Sequence, residues 1–260
     1  MAIQKISGVT IDLISQASGD VTYFDGVDWV RLPKGVAGEL LMMNASATAP
    51  EWGSPPWAFP GSIYGYAVMG MTGSPTDTID KFSFVSDTNA VDHCDAFSIG
   101  SHLSCSRSST HGYANPGEIL SYPGPTNSIT KFAFASSVDG TDVADVLVAL
   151  STPSGNTSST HGYVCGGQLL DVTVTVNTIQ KYTTSADANS TDVGDLTETI
   201  IGASSANSTT FGYRMGGTRP GEDPLYTSEI IDKFPFASDT NATDIANLVI
   251  GRDDLGGTQN

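Results

Sequence analysis

One block of sequence recurs four times along this chain. The motif Ile-x-Lys-Phe/Tyr starts at Ile79, Ile129, Ile179 and Ile231, at intervals of 50, 50 and 52 residues. Each copy follows a Gly-Tyr pair and precedes an acidic residue. The pairs start at Gly65, Gly112, Gly162 and Gly212, and the acidic residues are Asp92, Asp142, Asp192 and Asp244. A fixed period of this size predicts an array, a solenoid or a propeller, because one short unit cannot bury its own apolar faces.

The pattern within each unit predicts β-strands. Around the first motif, Phe82 and Phe84 fall on one face of an extended chain, and Ile79 and Lys81 fall on the other. Only 15% of the residues are charged and 28 are glycine, a composition that suits short strands and turns better than long helices. The fold class is therefore expected to be all-β, with three or four strands per unit.

About 50 residues per four-stranded sheet is the size of a kelch-type propeller blade. The Gly-Gly pairs at 166–167 and 216–217 also resemble the kelch pattern, but the tryptophan expected late in a kelch blade is missing. Four blades are few for a closed ring. A kelch-like β-propeller, an open propeller-like array and closure with partner chains therefore remain as alternatives.

Residues 1–53 do not follow the repeat, and Pro55-Pro56 marks a boundary. We expect an N-terminal segment at 1–56 and a repeat region at 57–260. The four repeats are expected at 57–110, 111–160, 161–210 and 211–260.

The N-terminal segment is rich in aromatic residues for its length. Asp25-Gly26 lies between aromatic runs and predicts a hairpin turn. So short a segment has too little chain to bury rings such as Tyr23, Phe24 and Trp29, so it is expected to need a partner surface.

This segment resembles a short module found near the N-termini of bacteriophage tail fibres and related virion appendages. Its residues 19–32 follow Gly-Asp-x-x-Tyr-aromatic-Asp-Gly-x-x-Trp-x-Arg-Leu, and Gly-x-x-Gly-x-x-Leu and Pro-x-Trp come after them. The resemblance implies an anchor or a homotrimeric shaft in a virion, with other virion proteins and further copies of the chain as partners. The implied contact residues are Tyr23, Phe24, Trp29, Arg31, Leu32 and Trp52.

Charge and hydropathy narrow the choice of partners. The formal net charge is −17, which opposes binding to nucleic acid. No stretch approaches the roughly 20 apolar residues of a membrane helix, and no signal peptide is apparent. The three cysteines form no disulfide pattern, so we expect synthesis in a reducing host cytoplasm followed by assembly into the virion.

Acidic and amide residues recur in one turn of the repeat. They are Asp87, Asn89 and Asp92, then Asp187, Asn189 and Asp192, then Asp239, Asn241 and Asp244, whereas the second repeat has only Asp139 and Asp142. Closely spaced oxygens of this kind can hold Ca²⁺. Asp and Asn are also common turn formers, so calcium and a purely structural role both remain open. No other cofactor is expected.

Two further positions recur. Four of the six lysines share one position, and an acidic or amide residue follows 14 residues later, as in Lys81 and Asp95, which predicts a cross-strand ion pair. His111 and His161 share a position with Phe211 in the fourth repeat, which predicts a flat ring used for packing.

No nucleophile elbow, phosphate-binding loop or zinc-protease motif is present, so we expect no enzyme activity. The expected function is that of a tail fibre or receptor-binding appendage whose loops contact a host glycan or protein. Trp57, Tyr122 and Tyr226 lie in or near those loops. The alternatives are a capsid or tail decoration protein, and a glycan depolymerase.

Overall fold

The computed structural model describes residues 17–36, 39–44, 46–53, 63–115, 117, 127–169, 174–219 and 227–258. The chain divides into two compact units, Met1–Ser62 and Ile63–Asn260. Every regular element in the described ranges is a β-strand, so the all-β prediction is confirmed. The described residues accordingly include no apolar helix of membrane-spanning length.

The first unit contains two antiparallel hairpins. Strand β1 (Val21–Phe24) pairs with β2 (Trp29–Leu32), and β3 (Leu40–Met43) pairs with β4 (Pro50–Gly53). The turn between β1 and β2 forms because the Asp25 carboxylate accepts hydrogen bonds from the backbone N–H groups of Val27 and Asp28, both at 2.8 Å. The hairpin predicted at Asp25-Gly26 is therefore confirmed.

The second unit contains four successive antiparallel sheets. Sheet 1 consists of β5 (Tyr64–Met71), β6 (Pro75–Ser83) and β7 (Val91–Gly100). Sheet 2 consists of β8 (Ser104–Arg107), β9 (His111–Asn115), β10 (Ser128–Ala133) and β11 (Thr141–Asp145). Sheet 3 consists of β12 (Leu150–Ser151), β13 (Ser154–Thr157), β14 (His161–Leu169), β15 (Thr175–Thr183) and β16 (Thr191–Asp195). Sheet 4 consists of β17 (Ser204–Asn207), β18 (Phe211–Met215), β19 (Ile230–Pro235) and β20 (Thr243–Asn247).

The sheets are offset from the repeats as we bounded them in the sequence. Sheet 2 begins with Ser104–Arg107, which lies before residue 111, where the second repeat was expected to start. Sheets 3 and 4 likewise begin before residues 161 and 211. Sheets 2 and 4 thus take their first strand, and sheet 3 its first two strands, from the end of the preceding sequence repeat.

Two landmarks of the repeat are cross-strand partners. The glycine of each Gly-Tyr pair lies opposite the Phe or Tyr of the Ile-x-Lys motif, as Gly112 lies opposite Phe132. A Cβ atom on Gly112 would lie 2.2 Å from Cζ of the Phe132 ring, and Gly65, Gly162 and Gly212 are equally close to Phe82, Tyr182 and Phe234. The glycine is required because the ring lies directly against the backbone there.

The apolar cores lie between neighbouring sheets. One cluster joins Ile79, Cys94 and Ala96 of sheet 1 to Phe132 of sheet 2. A second joins sheets 2 and 3 and contains Tyr113, Ile129, Val146, Leu150, Val164 and Tyr182. A third joins sheets 3 and 4 and contains Tyr163, Cys165, Ile179, Leu196, Ile200, Phe234 and Ala242. Each sheet therefore stabilises the next by receiving one of its aromatic rings, as expected when a single repeat cannot bury its own faces. We call each such contact region a junction.

Candidate functional sites: the attachment segment and the junctions

Asp20 organises the first hairpin. Its carboxylate pairs with the Arg31 guanidinium at 2.6 Å and accepts hydrogen bonds from the backbone N–H groups of Ala17 and Lys34. The hydrogen bond from Arg31, with those backbone donors, lowers the pKa of Asp20 to about 2. The Gly-Asp and Arg-Leu ends of the motif are thus tied to one another within the segment.

Trp52 is fixed by a similar internal contact. Its indole N–H donates to the carbonyl oxygen of Pro33 at 2.6 Å. A Cβ atom added to Gly35 would lie only 2.7 Å from Cδ2 of the Trp52 ring. Arg31 and Trp52, both expected in a partner contact, therefore have partners inside the segment. The first glycine of the Gly-x-x-Gly motif is explained by the same packing.

The remaining attachment residues divide by exposure. Phe24 and Trp29 form a ring pair with centroids 5.9 Å apart, and both are exposed, at 54% and 40%. Tyr23 and Leu32 are half-buried. The exposed pair is the part of the predicted contact set that is available to a partner.

The turn residues predicted to bind calcium in the third and fourth repeats lie at the junctions. The Lys131 ammonium binds the carboxylate of Asp187 at 2.8 Å, and Lys181 binds Asp239 in the same way. Both pairs link one sheet to the next. The hydrogen bond that Lys131 donates to Asp187 raises the pKa of Lys131.

The amide residue of the same turn bonds to the backbone of the preceding sheet. Oδ1 of Asn189 accepts the N–H of Asp145 at 3.0 Å, and Oδ1 of Asn241 accepts the N–H of Asp195 at 3.1 Å. Asp139 takes this position in the second repeat and accepts the N–H of Asp95 at 3.2 Å. This equivalence explains why the second repeat departs from the pattern.

A second bond fixes each of these contacts. The carbonyl oxygens of Asp95, Asp145 and Asp195 accept N–H groups from Gly140, Ser190 and Ala242 at 2.7, 2.8 and 2.7 Å. Each turn therefore binds both the N–H and the C=O of one residue in the preceding sheet, much as a strand ladder does.

These contacts use oxygens that a calcium ion would require. Asp192 accepts the N–H of Gly194 at 3.1 Å, so it too has a protein donor. Among the described residues, no three His, Cys, Asp or Glu side chains are grouped closely enough to hold a metal ion. In the first repeat, Asp87, Asn89 and Asp92 are exposed.

The predicted cross-strand ion pair is wrong. Lys81 lies opposite Val91, and Asp95 lies opposite Thr78. The turn is centred earlier than we assumed, and a register shift follows Ile79. The same shift follows Ile129, Ile179 and Ile231. Lys131 and Lys181 bind the turn of the next sheet, and not an acidic residue of their own hairpin.

Aromatic packing completes each junction. The Tyr66 ring stacks on Phe134 with centroids 4.9 Å apart, and Tyr163 stacks on Phe236 at 5.0 Å. At the middle junction Thr184 replaces the second ring, and the Tyr113 hydroxyl donates to the Thr184 carbonyl oxygen at 3.0 Å.

The ring position shared by His111 and His161 lies beside the motif lysine. In the terminal sheets, Lys81 lies 4.0 Å from the Tyr64 ring centroid and Lys233 lies 4.6 Å from that of Phe211. Burial, and secondarily the nearby lysine charge, lowers the pKa of both histidines.

A buried charge cluster in sheet 4 has no counterpart in our sequence predictions. The Arg214 side chain is fully buried and binds Glu198 at 2.9 Å and Asp232 at 2.6 Å. Asp232 also accepts the N–H of Thr197, and Ser228 donates to Glu198. Burying these charges is tolerable because they are paired and hydrogen-bonded. The available sequence signal was Arg214 itself, which stands where the second and third repeats have Ala114 and Val164.

The candidate ligand residues Trp57, Tyr122 and Tyr226 lie outside the described residues. The loops that contain Tyr122 and Tyr226 connect the second and third strands of sheets 2 and 4.

No family model matches the chain, and no curated protein matches it. Among solved structures, that titled "Structure of YjhT" has a similar fold, with a TM-score of 0.59 and 10% sequence identity. The alignment covers 75% of this chain and 68% of that chain. At this identity the similarity is one of fold.

Proposed function

We propose that the protein is a structural component of a bacteriophage virion, a tail fibre or receptor-binding appendage. In this proposal residues 1–56 attach to the particle and assemble as a homotrimer, and the repeat region contacts the host. The observation that carries it is the N-terminal motif, together with the exposed Phe24 and Trp29 pair.

The hairpin geometry supports an attachment role. The Asp20–Arg31 ion pair stabilises the hairpin that carries the exposed rings of Phe24 and Trp29. Large exposed apolar groups of this kind mark interaction sites in soluble proteins, and aromatic residues are common anchors at interfaces.

We further propose that the repeat region is a kelch-like β-propeller or a propeller-like open array. Successive sheets of similar strand order pack through repeated junctions, which is the arrangement expected of blades.

The loops that join strands within the sheets support host contact by the repeat region. In sheets 2, 3 and 4, the loop between the strand of the Gly-Tyr pair and the strand of the Ile-x-Lys motif has a different length each time, at 116–127, 170–174 and 216–229. Variable loops at equivalent positions on a rigid scaffold are typical of binding surfaces.

Labelling of purified virions with an antibody against residues 63–258 tests the virion assignment. We expect labelled tail or fibre positions, and virions that lack the chain would refute the proposal. A glycan array would then separate the two virion roles, because a decoration protein without host contact should bind no glycan. A chain that lacks residues 1–56 should fail to enter particles, whereas the variants Phe24→Ser and Trp29→Ser should enter poorly.

A further inference from the structure

The two ends of the repeat array carry the two halves of one more junction. Four sheets make three junctions, and in each of them the earlier sheet contributes a tyrosine and the later sheet contributes an aromatic ring and a turn. At the second and third junctions a lysine of the earlier sheet also binds the turn of the later sheet. Among the described residues of the repeat region, no sheet precedes sheet 1 and none follows sheet 4. We propose that a second copy of this chain docks its sheet 4 onto sheet 1 of the first copy, using the contacts of the internal junctions. This proposal concerns self-assembly of the repeats and does not depend on the virion role.

The receiving half on sheet 1 is open. Phe82 is 39% exposed, whereas its equivalents Phe132, Tyr182 and Phe234 are 2–3% exposed. Phe84 is 54% exposed, although its equivalents Phe134 and Phe236 stack against a tyrosine of the preceding sheet. The ring position of Phe82 is thus buried in every other repeat, and that of Phe84 is stacked on a tyrosine in the second and fourth repeats, whereas both rings are uncovered in sheet 1.

The turn of sheet 1 is open as well. Asp87 and Asn89 are exposed, and they hold the positions at which Asp187 and Asn189 bind sheet 2. Ala90 is also exposed, whereas its equivalents Gly140, Ser190 and Ala242 are buried. The turn therefore carries a complete set of junction groups with no preceding sheet to bind.

The offering half on sheet 4 is open too. Lys233, whose equivalents Lys131 and Lys181 bind a carboxylate of the next sheet, lies over the Phe211 ring. Every residue of β20 is exposed, and Ile245 is 46% exposed. Its equivalents Val143 and Val193 pack against junction cores.

The two halves match contact for contact. Lys233 would bind Asp87, the backbone N–H of Asn247 would donate to Asn89, and Tyr213 would stack on the Phe82 and Phe84 rings. The ion pair fixes the head-to-tail orientation of the two copies, since the lysine lies on sheet 4 of one copy and the carboxylate lies on sheet 1 of the other. Both halves are open among the described residues, and a second copy carries the complement of each, so the occupant that we propose is another copy. Such a head-to-tail contact makes a ring if its rotation closes and a filament if it does not.

Charge reversal at the two ends tests this docking in the full chain. We expect the molecular mass of the wild-type assembly in solution to rise with protein concentration. This rise should exceed the mass of any oligomer that residues 1–56 form. Asp87→Lys and Lys233→Asp should each weaken this association on the order of tenfold, because each places like charges at the contact. Glu229→Lys, an exposed charge reversal away from the turn, should leave it unchanged.

Mixing the two variants provides the decisive measurement. An equimolar mixture contains a normal Lys233–Asp87 contact and a reversed one, so association should return to near the wild-type level. If the mixture stays dissociated while the double variant in one chain behaves as wild type, the ends close within one chain and the proposal is wrong. A wild-type mass that does not change with concentration, with no difference between the variants, would also overturn it.

Discussion

Lys131 and Asp187 belong to successive repeats, and their side chains meet at 2.8 Å across the junction between sheets 2 and 3. The two residues are 56 positions apart in the sequence. Lys181 and Asp239 repeat the contact at the next junction. The lysine of each inner repeat therefore binds the next sheet, rather than an acidic residue of its own hairpin.

The Lys131–Asp187 pair is expected to contribute little to stability. The lysine side chain is 23% exposed and the aspartate 52%, and pairs of this kind contribute at most about 1 kcal/mol. A double-mutant cycle with Lys131→Met and Asp187→Asn, followed by urea unfolding, should give a coupling free energy below about 1 kcal/mol that shrinks with added salt.

Asp87→Asn is the matched control, measured at a low protein concentration. Asp87 holds the same repeat position but faces no preceding sheet, so its removal should leave the free energy of unfolding unchanged. A larger loss for Asp87→Asn than for Asp187→Asn would contradict the assignment of the pair.

Gly112 supports a second prediction. A methyl group at this position would lie 2.2 Å from the Phe132 ring, which is itself buried in a junction core. We expect Gly112→Ala to destabilise the fold by about 2 kcal/mol in urea unfolding, since overpacking displaces the ring. Gly256→Ala, where no atom lies within 4 Å of the added carbon, should have little effect.

Shortening the ring tests the cause of that loss. Phe132→Leu removes the atoms that the new methyl group would meet, so adding Gly112→Ala to this variant should cost much less than it costs in the wild type. Additive losses in the double variant would show that the strain lies elsewhere.

The repeat, the all-β class and the Asp25 hairpin could be predicted from the sequence because each depends on local pattern. The residue opposite Lys81 could not be predicted, because the register of the two strands depends on a shift after Ile79 that no residue type in the sequence indicates. The same holds for Asp187, whose lysine partner lies in the preceding repeat. Arg214 was missed because charge in a sequence gives no indication of burial.

Metal removal tests the calcium prediction. Since Asp187, Asn189 and Asp239 already bind protein donors, we expect neither chelation nor added Ca²⁺ to shift the thermal unfolding midpoint. A rise in the midpoint with Ca²⁺ that Asp87→Asn abolished would instead place an ion at the turn of sheet 1, where Asp87 and Asn89 are exposed.

The stability of the N-terminal hairpin should change with pH because of Asp20. Its pKa in the folded segment is about 2, against an ordinary value of 3.8, because Arg31 and backbone N–H groups bind the ionised carboxylate. A carboxyl group with a lowered pKa contributes stability that is full above its ordinary pKa and is lost as the pH falls towards the folded value. The hairpin should therefore loosen between about pH 4 and pH 2.

Tryptophan fluorescence can follow this loss, because all three tryptophans, Trp29, Trp52 and Trp57, belong to the first unit. Asp20→Asn should reduce the transition and leave the part that is due to Asp25, whose pKa is lowered by hydrogen bonds from the backbone N–H groups of Asp28 and Val27. Asp28→Asn is the control, since Asp28 contributes its backbone N–H, and not its carboxylate, to the turn. An unchanged transition in Asp20→Asn would show that another group titrates there and that the Asp20–Arg31 contact does not organise the hairpin.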